Sequence, residues 1–137
     1  MTVYLDTSIV LRCLLHEPQP VACWGRWQAA YASRIWLTEA QRTVDRLRLE
    51  GRISDADVAR LHTELLIVHE TLHIVPVAED VLMRAGEAFA TTLGTLDAIH
   101  LASALAIRGN VRVDRFLTHD RQLAVAAMSM GFTVEGS

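Results

Sequence analysis

The stretch GTLDAIHLASALAIRG, residues 94–109, constrains the fold more than any other part of this chain. After Asp97 come Ala98, Ile99, Leu101, Ala102, Ala104, Leu105, Ala106 and Ile107, so a helix here is apolar on nearly every side. A helix with no face for water belongs deep in the core, covered by other elements. Asp97 sits at the mouth of that helix, where a carboxylate is costly to desolvate unless a cation or hydrogen-bond donors meet it. Either the helix N-terminus alone satisfies it, or a positive charge does.

The rest of the chain supplies the covering layers. TVYL (2–5) reads as a strand ending at Asp6, and Thr7 to Leu15 as a helix stopped by Glu17-Pro18. A second helix is expected from Val21 to Ala32, with RIWL (34–37) as a short strand. Two helices follow, Thr38 to Glu50 and Ser54 to Val68, broken by Gly51. Ser54 is a good N-cap, with Asp55 and Asp57 in the first turn behind it. LHIVPV (72–77) reads as a strand, Glu79 to Thr92 as a helix, 95–108 as the apolar helix, RFLT (115–118) as a strand, 119–130 as a helix and FTVE (132–135) as a last strand. Strands alternating with helices predict a three-layer α/β domain whose short central sheet is mainly parallel. No linker, repeat or low-complexity segment divides residues 1–137, so a single domain is expected.

Composition narrows the chemistry. The formal charge is −3, and all thirteen basic residues are Arg. Without Lys there is no Schiff-base chemistry and no P-loop lysine, but Arg grips phosphates bidentately. Six Arg fall between 34 and 60, so a local basic patch can exist on an acidic protein. No apolar run reaches the roughly 20 residues of a membrane span, and MTVYLDTSIV lacks a basic signal region. The cytoplasm is the expected compartment, with Cys13 and Cys23 reduced and structural.

Open parallel sheets bind ligands outside the carboxyl ends of their strands. Asp6 follows the first strand and Asp120 lies two residues beyond RFLT, while Asp97 and Glu39 open helices. Four carboxylates on one edge repel each other and raise each other's pKa. A hard divalent cation resolves the conflict, because Mg²⁺ takes oxygen ligands from a few carboxylates and keeps several waters.

The residues LDTS (5–8), SRIWLTEAQRTVDRLRLEG (33–51), LDAIHLASAL (96–105) and FLTHDRQLAVAA (116–127), in this order and spacing, resemble PIN-domain ribonucleases. Within that family the chain is similar to the VapC toxins of bacterial toxin–antitoxin pairs. The likeness covers nearly the whole chain. It implies a Mg²⁺- or Mn²⁺-dependent endoribonuclease leaving a 5′-phosphate and a 3′-hydroxyl. Asp6, Glu39, Asp97 and Asp120 would be its acids, with Asp6 and Asp97 as direct metal ligands. Glu39 and Asp120 would hold a second metal or metal-bound waters, or act as general base. Ser8 and Thr118 match hydroxyls that orient ligands or waters. The resemblance also implies an RNA substrate, a cognate antitoxin and a homodimer. The antitoxin would pack a hydrophobic segment into a groove, for which Trp24 and Trp27 are the choice. Arg42 and Arg46, four apart on one helical face, are candidates for RNA contact.

Each residue also has a plainer reading. Asp6 and Asp120 can cap helices, Asp97 and Glu39 can be first-turn acids, and Arg42 and Arg46 can pair with Asp45 and Glu50. His100, three residues after Asp97, can face the site, but a buried histidine bonded to backbone is the expectation. The HETLH run at 69–73 satisfies H-E-x-x-H, yet His73 leads into IVPV and Pro76 breaks a helix there, which disfavours a zinc protease. A non-catalytic RNA-binding or regulatory module is one alternative. The other is a small phosphohydrolase on non-RNA substrates, although Asp6-Thr7-Ser8 lacks the second acid of a D-x-D dehalogenase-type motif.

Overall fold

The structure is a computed structural model and describes residues 1–137. Five strands form its spine: β1 (Thr2–Leu5), β2 (Ala29–Ser33), β3 (His73–Val75), β4 (Arg115–Leu117) and β5 (Val134–Glu135). They pair in the order β3-β2-β1-β4-β5, and every neighbouring pair is parallel. Six helices flank them: α1 (Thr7–Leu14), α2 (Ile35–Leu49), α3 (Asp55–Thr71), α4 (Glu79–Ala85), α5 (Thr95–Arg108) and α6 (Arg121–Ser129). This is the three-layer α/β class that the alternating pattern predicts, with the sheet wholly parallel.

Side chains alternate across the strands with period two, so the sheet packs an apolar cluster on each face, and a small third one joins Val81 to Ile99 and Ala102. Val3, Leu5, Ala30, Ala32 and Leu117 pack with Ile9, Trp36, Val44, Leu61 and Leu65 from α1, α2 and α3. Tyr4 and Phe116 point the other way, against Leu101, Ala104, Leu123 and Ala127 of α5 and α6. Burial on both faces fits the nearly unbroken apolar run Val3-Tyr4-Leu5 of β1. The apolar helix behaves as its sequence demands: all seven residues from Ala98 to Ala104 are buried.

Strand order fixes where the site lies. β2 and β3 are laid down on one side of β1, and the chain then returns to place β4 on the other side. The carboxyl ends of β1 and β4 therefore meet where the winding reverses, which is where open α/β sheets form a crevice.

Several boundaries differ from the sequence reading. No helix runs from Val21 to Ala32; the chain turns over 22–25, with Gly25 at φ +73°, and then forms β2. RIWL is not a strand, because Ile35, Trp36 and Leu37 open α2. Alanine-rich AAYAS looks helical by propensity, but pairing on both edges, with β1 and β3, overrides that preference. α4 stops at Ala85 before Gly86, short of the predicted Thr92, and β3 and β5 are shorter than predicted. His73 does begin a strand, so HETLH does not put two histidines on one helix. No helix is long and apolar enough to cross a membrane.

Candidate active site

Each of the four predicted acids reaches the crevice by its own local route. Asp6 ends β1 and caps α1, its Oδ1 accepting from the Ser8 amide at 3.1 Å and the Ser8 hydroxyl at 2.5 Å. Its Oδ2 accepts from the Thr118 hydroxyl at 2.6 Å. Asp120 caps α6 through the Leu123 amide at 2.8 Å. The capping readings are therefore correct for both residues, and capping is what aims them. Glu39 is not a solvated first-turn acid: it lies one turn into α2, with 21% of its side chain exposed. Asp97 is in the first turn of α5, but no side chain caps that helix.

The hydroxyls predicted to be supporting residues join the strand ends. Thr118 Oγ1 donates to Asp6 and accepts from the Asp120 amide at 3.0 Å. Ser8 Oγ donates to Asp6 and accepts from the His119 amide at 3.1 Å. The start of α1 and the β4–α6 turn are thereby fixed relative to each other. Asp6, Glu39, Asp97 and Asp120 then line one cavity of about 200 Å³, together with Thr7, Ser8 and His100.

Crowding leaves an electrostatic mark. The Asp97 carboxyl is pushed up to about 6, first by removal from water and then by the negative charges of Asp120 and Asp6, with Glu39 adding to them and His100 opposing. Burial also raises Asp6, against the charge of His100 and the hydrogen bonds from Ser8 and Thr118. All four acidic donors offer hard oxygen. No three His, Cys, Asp or Glu side chains stand close enough together to hold a metal ion by themselves. An open set of carboxylates suits Mg²⁺, which keeps much of its water, better than a cation that requires an all-protein cage.

Sequence reasoning did not name Thr7, Leu11 or Thr43 for the site and favoured a core role for His100, yet all four line this cavity. Thr7 donates to Glu39 Oε1 at 2.8 Å. His100 does not bond to backbone as expected; it is 1% exposed, and its Nε2 lies 2.5 Å from Glu39 Oε1. Its position three residues after Asp97, on the same side of α5, was the available signal.

The other candidates lie on the flanks. Arg42 and Arg46 border a cavity of about 360 Å³ that shares Glu39 and Thr43 with the acidic one. They also make the expected ion pairs, to Asp45 at 3.3 Å and to Glu50 at 3.9 Å, with most of each side chain in solvent. Trp24 and Trp27 lie in the turns before β2 rather than on a helix, and their rings meet edge to face with centroids 5.4 Å apart. With Leu5, Val68 and Leu72 they line a mostly apolar cavity of about 260 Å³.

A parallel α/β sheet with carboxylates gathered at its switch point defines a class, and the chain belongs to the PIN-domain family, whose model matches residues 3–128. Within that family it is similar to Ribonuclease VapC47 of Mycobacterium tuberculosis, 30% identical over 137 residues, with 95% of this chain and 93% of the relative covered. Ribonuclease VapC46 of the same organism is 30% identical over 132 residues, covering 96% and 95%. Among solved structures, VapBC2 from Rickettsia felis, bound to a DNA fragment from their promoter, superposes with a TM-score of 0.68 at 16% identity over 98% of each chain. Mycobacterium tuberculosis VapC20, a toxin that cleaves the sarcin-ricin loop, gives 0.65 at 14% identity over 96% of each. At these identities the structural likeness speaks for the fold.

Proposed function

We propose that this protein is a Mg²⁺- or Mn²⁺-dependent endoribonuclease and the toxin of a toxin–antitoxin pair. One observation carries the reading: four carboxylates from four separate segments face one cavity at the switch point, where burial and then the charges of Asp120 and Asp6 push the Asp97 carboxyl up to about 6. Structural caps alone would not need to face each other. The ribonuclease relatives, similar along the whole chain, support RNA as the substrate.

Asp6 and Asp97 would hold the metal, with Glu39 and Asp120 holding bound waters or a second ion. When bound, the cation supplies charge neutralisation at the scissile phosphate and acidifies a water. The chain's own groups do the rest. Ser8 and Thr118 fix the Asp6 carboxylate. The exposed amides at the start of α5 favour a phosphate beside Asp97. Arg42 and Arg46 extend the site along α2, where they would take phosphates of the flanking RNA. The apolar cavity at Trp24 and Trp27, which shares no lining residue with the acidic one, is the proposed seat of the antitoxin's hydrophobic segment.

The test is cleavage of total cellular RNA by purified, antitoxin-free protein, in Mg²⁺ or EDTA, beside Asp97→Asn. Discrete fragments that need metal and vanish in the mutant support the reading. The same fragments from the mutant would reveal a contaminating nuclease. Absence of cutting by folded, metal-loaded protein would leave a binding module.

A further inference from the structure

Behind Glu39 lies a buried chain of hydrogen bonds that the proposed reaction does not call on. The Ser33 amide, at the end of β2, donates to the Tyr4 hydroxyl at 3.1 Å. That hydroxyl lies 3.2 Å from His100 Nδ1, and His100 Nε2 lies 2.5 Å from Glu39 Oε1. Tyr4, Ser33 and His100 are all at most 1% exposed. With its oxygen accepting from Ser33, the phenol turns its proton to Nδ1, and the imidazole then carries hydrogen on Nε2. Burial keeps the Tyr4 phenol protonated by pushing its pKa well up.

We infer that His100 is a positioning residue: its Nε2–H, set by Tyr4, holds Glu39 by Oε1 and leaves Oε2 free for the acidic cavity. Thr7 strengthens the hold by donating to the same oxygen at 2.8 Å. Glu39 stands on a helix, without the amide contacts that aim Asp6 and Asp120, so it needs side-chain partners to keep one rotamer. Two donors on one oxygen fix the plane of the carboxylate. The histidine also links the start of α5, where Asp97 sits, to α2, so the two acids are held at one spacing. The outer partners of metal-site carboxylates commonly matter 10–100-fold in metal affinity or activity.

This inference rests on the metal-site reading, and its test separates the two. Mn²⁺ is titrated into full-length protein by calorimetry, for wild type, Asp97→Asn, His100→Leu, His100→Gln and Tyr4→Phe, with circular dichroism melts confirming the fold. Glutamine replaces Nε2–H with an amide donor at nearly the same place; leucine keeps only bulk. Expected is about a tenfold or greater loss of Mn²⁺ affinity in His100→Leu, with His100→Gln within about threefold of wild type. Tyr4→Phe, whose missing oxygen serves His100 and the Ser33 amide but does not line the acidic cavity, is expected to weaken Mn²⁺ at least threefold. On RNA, kcat should fall in His100→Leu with KM little changed. Wild-type Mn²⁺ affinity in both His100→Leu and Tyr4→Phe, or equal losses in His100→Leu and His100→Gln, overturns the inference while Asp97→Asn still upholds the metal site. If His100→Leu does not fold, Tyr4→Phe decides alone. A wild type that binds no Mn²⁺ overturns both readings.

Discussion

Asp97→Asn should stabilise the metal-free protein, which is the reverse of what removing a structural acid does. At neutral pH the Asp97 carboxylate is partly removed from water and also faces the charges of Asp120, Asp6 and Glu39. Its rise from 3.8 to about 6 corresponds to about 3 kcal/mol at 1.36 kcal/mol per pKa unit. The residue is only half-buried, so solvent screening cuts the usable part to about 1–1.5 kcal/mol. The sign follows from proton binding: the native state holds this proton more tightly than the unfolded chain. Asp97 therefore contributes its full stability below about pH 4 and loses it as pH rises through about 6. Asparagine carries no charge to repel at any pH.

In EDTA at pH 7.5 the Asp97→Asn protein is expected to melt roughly 3–5 °C above wild type, given a gain of about 1 kcal/mol in a domain of this size. At pH 4.5 the gap should be smaller, and it should close only below about pH 4, where Asp97 is protonated in the folded and the unfolded chain alike. Added Mg²⁺ at about ten times its dissociation constant should stabilise wild type by about 1.4 kcal/mol and leave the mutant nearly unmoved, closing or reversing the order. Thermal and urea unfolding across that grid of pH and metal provide the measurement. A mutant that melts at or below wild type in EDTA at pH 7.5, with a wild-type melt indifferent to Mg²⁺, would refute the electrostatic argument. Asp97 would then be an ordinary first-turn acid serving the helix dipole.

Three other outcomes are expected. Replacing Arg42 and Arg46 together by Ala should raise KM for RNA and lower the slope of log affinity against log salt by about 1.4, two phosphate contacts at roughly 0.7 each on single strands. An unchanged salt slope would return these arginines to their ion pairs with Asp45 and Glu50. Replacing Trp24 and Trp27 by Ala should weaken antitoxin binding by about 2 kcal/mol or more, measured by interferometry, while RNA cleavage by the free protein persists. Full antitoxin affinity would place that partner on another face. Thr118→Val keeps the shape but removes the hydroxyl that donates to Asp6 and accepts from Asp120, and should cut cleavage about 10–100-fold where Thr118→Ser is spared. Wild-type turnover in the valine variant would show that Ser8 alone holds Asp6.

Legibility followed the range of the signal. The apolar helix α5 and the capped helix α3 were readable because periodicity and caps are local; Ser54 makes the reciprocal capping box with Asp57 that its spacing suggests. β2 was not readable. Ala29–Ser33 has no strand-forming run of its own and becomes a strand because β1 and β3 pair with it from both sides. The same misreading spread to its neighbours, putting Trp24 and Trp27 on a helix that does not exist and turning the first turn of α2 into a strand. Tertiary pairing decided those residues, and no window of sequence contains it.

The site divides along the same line. Asp6 and Asp120 were legible because an acid just beyond a parallel strand can both cap the next helix and face the crevice, and the structure shows each doing both. Asp97 was legible because a carboxylate at the mouth of an otherwise apolar helix calls for a partner. His100 was misjudged for the same reason that Asp97 was seen. A histidine in an apolar helix suggests a core residue satisfied nearby, and the backbone is its nearest supply of partners. In this fold α5 packs on the sheet beside Tyr4 and across from α2, so side chains 96 residues before it and 61 before it reach the imidazole first. Burial and site membership are therefore compatible for His100. A polar residue that shares the burial of its apolar neighbours can still reach a carboxylate of the candidate site, as His100 reaches Glu39.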